Sequence, residues 1–500
     1  MLNVSETTAI VLILVLALVI LTWGYNRSRV YGKLGLLAWL QSVILMAPWL
    51  VFFGLFAAGI YLNLVAIISL LIISTIVYIY LGKRLRSAGQ DTILRERAAQ
   101  RIQSEQIEHN SNNSKVVSTV EAKVLPDVLP IPEEDLKTIK SIFGIDTFFA
   151  TETIPYQEGA IFRGNLRGEI EESYQRLSEK LKEHFGEKYR LFLVEGAENK
   201  PVVIILPSAN DPQPTTTTQK YIAILLIGAT ILTSLEAAGL LLGFDLFSNW
   251  GRTLETVPMS LGLWAVLVSH EIGHRILANR YNIRLSIPFF LPTGQIGSFG
   301  AITRFESLVP NRTALFDVAF AGPALGGIVS LILLVIGLTL SHTGSLFQIP
   351  SQFFQSSILV GSLARVVLGD ELQKTIIDIN PLMIVGWLGL VITALNLLPA
   401  GQLDGGRIVQ AIYGRKVARR TTIITLVILG IIAIVNPINP IPLYWTILVL
   451  FLQRDLERPS LNELSEPDDT RAAWGLLALF LMLATLIPLS PSLAGQLGIG

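Results

Sequence analysis

The sequence predicts a polytopic all-α membrane protein, of about ten spans, carrying one small α+β soluble domain. Two facts of composition and one pattern lead there. Of 500 residues, 51% are hydrophobic and 15% charged, where soluble domains carry about 25% charged residues, and the mean hydropathy is +0.56. The apolar residues gather in runs close to the roughly 20 that a helix needs to cross a hydrocarbon core of about 30 Å. The 38 basic and 38 acidic residues cancel, so the charge balance argues for no nucleic acid as partner; the lipid bilayer is the expected surrounding. The chain has no cysteine, which removes disulfides, thiol nucleophiles and thiolate metal sites. Any metal must be held by nitrogen and oxygen.

Residues 1–82 contain three candidate spans, Thr7–Trp23, Leu34–Leu55 and Gly59–Leu81. The first has no basic n-region, is longer than a signal h-region and is followed by Arg27, Arg29 and Lys33, so it reads as an uncleaved span; no Arg- and Ser-rich transit leader stands before it. Residues 83–125, rich in Arg, Gln, Glu, Ser and Asn, form a polar linker. Residues 126–206 alternate helical patterns (Glu133–Ile142, Glu169–Phe185) with strand-like runs (Phe148–Thr153, Ala160–Phe162, Tyr189–Val194, Pro201–Leu206), enough for one soluble α+β domain. Residues 207–218, with three prolines and a threonine run, lead back to the membrane. A membrane core at 219–456 and a C-terminal span and tail at 457–500 hold seven further spans: Tyr221–Gly243, Met259–Arg280, Ala314–Leu340, Pro381–Pro399, Thr421–Val435, Ile441–Leu452 and Ala472–Leu489. Basic clusters at Arg27–Lys33, Lys83–Arg101, Arg275–Arg284, Arg415–Arg420 and Arg454–Arg458 then all fall on one side, the cytoplasmic side by the positive-inside rule. The soluble domain shares it.

The fifth span contains His270, Glu271, Ile272, Gly273 and His274, an HExxH run. On a helix, positions i and i+4 share a face, so both imidazoles reach one cation with Glu271 beside them. Ionisable residues inside a bilayer are costly, about 2.5 to 3.5 kcal/mol each on insertion scales, and a bound metal offsets that cost. The competing structural reading is a polar cluster bonded to neighbouring helices. Two histidines leave a catalytic zinc one protein ligand short. His342 stands about 40 Å along the helices, too far to supply it. Glu306 and Asp317 lie nearer in sequence. The seventh span ends in NLLPAGQLDGGR, where Pro399, Gly405 and Gly406 break the helix around Asp404. By spacing alone Asp404 either turns inward or caps the next helix.

HEIGH in one span, Gly322–Pro323 in the next and Asn396, Pro399, Leu403, Asp404 and Gly405 in the third resemble the three-helix core of the site-2 protease family. The resemblance covers about Leu261 to Arg407. It implies an intramembrane zinc metalloprotease with one Zn2+ per chain held by His270, His274 and Asp404, Glu271 as the catalytic base, and Asn396 among the residues assisting substrate. GNLRG at Gly164–Gly168 and SFGAITR at Ser298–Arg304 resemble a narrower branch, the chloroplast and cyanobacterial relatives known in plants as the ethylene-dependent gravitropism-deficient and yellow-green proteins. With no transit leader read, the expectation is a cyanobacterial plasma or thylakoid membrane. Gly164 and Gly168 are as well explained by a turn.

The expected substrate is a transmembrane protein, whose helical backbone must unwind before a carbonyl is attackable. The loop Ile287–Ile302, with Gly297 and Gly300, offers an extended edge for such a segment, or is simply a re-entrant loop. Two other classes compete. A metal or proton transporter would use Glu236 in the fourth span, although a side chain there can snorkel to the interface. A catalytically silent assembly factor on the same fold would not need an intact HExxH.

Overall fold

The structure, a computed structural model, describes residues 21–22, 24–29, 32–57, scattered positions between 70 and 84, and 131–500 apart from 157, 197–199, 295, 437–438, 440, 454, 490–493, 496–498 and 500. Most of the expected spans Thr7–Trp23 and Gly59–Leu81, and nearly all of the polar linker, lie outside the described residues. The chain divides into two units, Met1–Leu125 with Ile431–Pro440, and Pro126–Gly430 with Ile441–Gly500. In the first, helix α1 (Gly32–Ala57) covers the expected span Leu34–Leu55.

The second unit begins with helix α2 (Glu133–Ile142), strands β1 (Phe148–Tyr156) and β2 (Gly159–Leu166), helix α3 (Ile170–Phe185), and strands β3 (Tyr189–Glu195) and β4 (Pro201–Pro207). The sheet is antiparallel in the order β1-β2-β4-β3. Apolar residues at period two in the strands and at i, i+4 in α3 (Leu177, Leu181) meet in a core with Ile139, Phe148, Phe162, Leu193 and Ile205. Gly164 lies within β2 rather than in a turn. A Cβ there would overlap the carbonyl of Phe149, beside the bulge between Ala150 and Glu152.

Then come α4 (Thr217–Leu241), α5 (Thr253–Arg280), a hairpin of β5 (Phe289–Thr293) and β6 (Gly297–Ile302), α6 (Arg312–Thr339), β7 (Phe347–Pro350), α7 (Ile358–Leu368), β8 (Ile376–Ile379), α8 (Pro381–Asn396), α9 (Asp404–Val435), α10 (Ile441–Leu448) and α11 (Asp469–Leu486). The protein is mostly helical with a small sheet region. Among the described residues four helices, α4, α6, α9 and α11, are long and apolar enough to cross a membrane, and Pro381–Asn396 and Ile441–Phe451 are shorter apolar helices. Their outer faces expose Ile224, Leu225, Ile328, Ile332, Ile424, Ile428 and Phe480, a surface that lipid solvates and water does not.

Three features differ from the sequence reading. The stretch between α6 and α8 is structured, with β7 paired to β8 and α7 packed beneath them, because strands of four residues and a helix of 11 fall below what periodicity detects. Helix α9 starts at Asp404, well before the expected Thr421, and breaks at Gly414 (φ 78°). Glu236 does not snorkel: it is buried and accepts a hydrogen bond from the Leu246 amide at 2.9 Å, closing the turn after α4.

Candidate metal centre

Helix α6 sits between α5 and α8, and small residues set how closely they approach. A Cβ at Gly273 of α5 would overlap the Ala321 carbonyl of α6, one at Gly322 would overlap the His274 ring, and one at Gly326 would stand 3.0 Å from the His270 Cβ. The two backbones therefore pack at glycine distance. The histidines of α5 are pressed against α6 as a result. His274 Nδ1 donates to the Val318 carbonyl at 2.7 Å, which fixes the tautomer and leaves Nε2 with its lone pair free to bind a cation.

Asp404 arrives from the other side. After α8 the chain turns through 397–403, with Leu397 N bonded to Thr393 O, Ala400 N to Leu398 O and Leu403 N to Ala400 O. Gly405 packs so tightly on the Leu397 carbonyl that no side chain fits. The Asp404 carboxylate, buried in the first turn of α9, points at the imidazole pair.

His270 Nε2 stands 3.1 Å from His274 Nε2 and 3.1 Å from Asp404 Oδ2, and His274 Nε2 is 3.4 Å from that oxygen. Donors bound at about 2.0–2.1 Å to a tetrahedral ion lie about 3.3 Å apart. The donor set fits zinc: two neutral imidazoles and a carboxylate crowd their lone pairs together, an arrangement that a cation relieves. Glu271 is buried beside them, with one ligand-type atom each from His270, Glu271 and His274 within 4.8 Å of one another. A cavity of about 20 Å3, room for about one water, opens between His274, Thr303, Asn396, Asp404 and Arg407.

Of the other residues singled out by sequence, Asn396 is buried at this cavity, its Nδ2 donating to Ile392 O at 2.9 Å. Gly300 (φ 101°) packs on the Asn396 amide. Gly297 (φ 85°) lies at the far end of β6, against Ser234 and Leu263, with its carbonyl accepting from Thr233 Oγ1 at 2.6 Å. Glu306 accepts from the amide and hydroxyl of Thr215, and Asp317 pairs with Arg471 at 2.6 and 2.9 Å and with the Tyr281 hydroxyl. Neither carboxylate joins the histidines. His342 is exposed beyond the other end of α6. Sequence reasoning missed Thr303, whose hydroxyl donates to Glu271 Oε2 at 2.7 Å, and the buried Arg407–Glu457 pair behind it. Thr303 lay within SFGAITR and Arg407 three residues past Asp404, but nothing in the spacing joined them.

An HExxH helix with a buried carboxylate facing its histidines, set among helices with lipid-type outer faces, belongs to the class of membrane-embedded zinc metalloproteases. Residues 258–435 match the model of Peptidase family M50, and residues 137–214 match that of the EGY3 middle domain. The probable zinc metalloprotease EGY2, chloroplastic, of Arabidopsis thaliana is 38% identical over 372 residues, 73% of this chain and 66% of its own length. The probable zinc metalloprotease EGY1, chloroplastic, is 35% identical over 409 residues in Arabidopsis thaliana, and 34% identical over 425 residues in Oryza sativa subsp. japonica, where the match covers 77% of this chain and 72% of the relative. The chain thus spans about two thirds of the length of the EGY2 relatives. No solved structure matches. The chain belongs to peptidase family M50, the site-2 protease family. The relatives are named for zinc, and the His–Glu–His group here can hold that ion.

One expectation is overturned. The expectation of a cyanobacterial plasma or thylakoid membrane, with a cytoplasmic soluble domain, is contradicted by the relatives, which are plant proteins named chloroplastic; association with a membrane stands on the apolar helices. The physical reason is that a compartment is addressed by a removable leader and leaves no mark on the packing of the folded chain.

Proposed function

We propose that this protein hydrolyses peptide bonds in or near the transmembrane segments of membrane proteins, with His270, His274 and Asp404 holding one zinc ion and Glu271 acting as general base. The triangle of Nε2, Nε2 and Oδ2 atoms carries the reading, because its 3.1 and 3.4 Å sides match ligands of one ion. The zinc, when bound, supplies a Lewis acid for the scissile carbonyl and a water acidic enough to lose its proton near pH 7. Glu271 takes that proton and returns it to the leaving amine. His274 keeps its tautomer through the Val318 carbonyl, so its Nε2 stays available as a ligand.

A helical substrate has its carbonyls bonded within the helix, so the segment to be cut must unwind. The β5–β6 hairpin, with Gly300 beside Asn396 and Gly297 at its far end, is suited to take the unwound segment as a further strand. Residues 219–456 form the catalytic membrane core, 1–82 and 457–500 add further spans to a total of about ten, and 126–206, between the linkers 83–125 and 207–218, lie outside the bilayer. The partners are a transmembrane protein substrate and the lipid around it.

Glu271→Gln tests the reading. Reconstituted in vesicles with a model transmembrane substrate, it should retain zinc and lose cleavage by about a thousandfold or more, the base being gone and both imidazoles kept. Activity near the wild-type level would remove Glu271 from the reaction.

A further inference from the structure

HExxH puts a carboxylate beside the histidines and contains nothing that aims it. A base must meet its proton within hydrogen-bond reach, so the aiming group has to come from another element. Among the described residues, the side-chain donor that reaches the Glu271 carboxylate is Thr303, whose hydroxyl meets Oε2 at 2.7 Å. Thr303 is the residue immediately after β6 and is itself buried. Its carbonyl accepts from Arg407 Nη2 at 3.0 Å.

Arg407 is buried in the first turn of α9, with Nη1 3.8 Å from Asp404 Oδ1 and its guanidinium 4.8 Å from the centre of the Phe305 ring. Its Nε donates to Glu457 Oε2 at 3.0 Å and Nη2 stands 2.9 Å from the same oxygen. Glu457 is in turn fixed through its carbonyl, which accepts from Gln410 Nε2 at 3.2 Å and from Arg415. One planar fork thus grips a carboxylate on one side and the Thr303 backbone on the other.

Resting on Glu271 as the base, we infer that Thr303 and Arg407 are positioning residues for it. Thr303 holds Glu271 Oε2 and leaves the second carboxylate oxygen to exchange the proton, while Arg407, anchored on Glu457, holds Thr303 at the distance where its hydroxyl meets that carboxylate. The hydroxyl is the working part of Thr303, and the planar guanidinium, which reaches Glu457 and the Thr303 carbonyl at once, is the working part of Arg407.

The experiment compares Thr303→Val, Thr303→Ser and Arg407→Lys with wild type and Glu271→Gln, in vesicles, with kcat, KM, zinc content and thermal unfolding measured on each. Valine keeps the volume of threonine and removes the hydroxyl, so kcat should fall about ten- to a hundredfold, the loss of a hydrogen bond to a charged group. KM should stay within about twofold and zinc at one equivalent. Serine should restore most of kcat, and a role in packing alone would favour valine over serine instead. Lysine at 407 keeps the charge beside Glu457 but not the fork, so kcat should fall with zinc content and unfolding temperature held. Wild-type kcat in Thr303→Val, or equal impairment in the valine and serine variants, overturns the inference while a dead Glu271→Gln leaves the proposed reaction standing. An active Glu271→Gln overturns both.

Discussion

At the scale of single residues, the assignment that most needs chemistry is that of Asp404, since the carboxylates of Glu306 and Asp317 lie nearer to the histidines in the sequence. The structure gives each of those an occupation. Glu306 is engaged by Thr215, and Asp317 by Arg471 and Tyr281. Asp404→Ala should therefore lose bound zinc and activity together, while Glu306→Ala and Asp317→Ala keep a full equivalent by elemental analysis of purified protein. A full equivalent in Asp404→Ala with none in Glu306→Ala would sink the assignment. The same reasoning weakens an ion pathway through Glu236, because its carboxylate is committed to the Leu246 amide. The histidines were legible from sequence because i, i+4 spacing is a property of one helix. Thr303, Arg407 and Glu457 were not, because the contacts joining them bridge 104 and 50 positions of sequence, and nothing local in such a pair announces it.

At the scale of elements, the centre depends on how near α5 and α6 approach. Gly322→Ala adds one methyl group against the His274 ring, and relieving it means either moving the ring from its bond to Val318 or separating the helices. Overpacking of this kind costs about 1–3 kcal/mol. The expected outcome is faster zinc loss to a chelator and at least about a tenfold fall in activity, with Ile332→Ala, on the exposed face of the same helix, as the silent comparison. Zinc retention equal to wild type would show that the helices have slack at this point. The helices themselves were readable from apolar runs, and α2 follows its expected bounds, Glu133–Ile142. What the runs did not carry was the first part of α9, Asp404 to Tyr413, which is polar enough to read as loop until Asp404, Gln410 and Arg407 are seen to be buried. The Asp317–Arg471 pair between α6 and α11 was equally invisible, its members being separated by 154 positions.

At the scale of the molecule, the segment Arg458–Ser465 ties the sheet region to one end of α6. Leu193 N bonds to Leu461 O and Glu463 N to Leu193 O on the sheet side, while Leu461 N bonds to Val309 O and Asn462 N to Pro310 O just before α6 begins. Helix α6 has 28 residues, about 42 Å at 1.5 Å per residue, more than the roughly 30 Å of a hydrocarbon core. Its length and composition suit it to cross, and its two ends are then expected on opposite sides. The sheet stays at the Arg312 end, and β7, β8 and the turn around His342 stay at the Thr339 end, where Gly344 N bonds to Asp378 Oδ2 at 2.7 Å. Because the chain has no cysteine, a single introduced thiol reports its own side without a background. Lys180→Cys, on the exposed face of α3, and Thr343→Cys, in the exposed turn after α6, should react with an impermeant maleimide from opposite faces of sealed vesicles, and both should react once detergent opens them. Labelling of both positions from one face would mean that α6 does not cross, and would take with it the membrane depth proposed for the centre that α5 and α6 build between them.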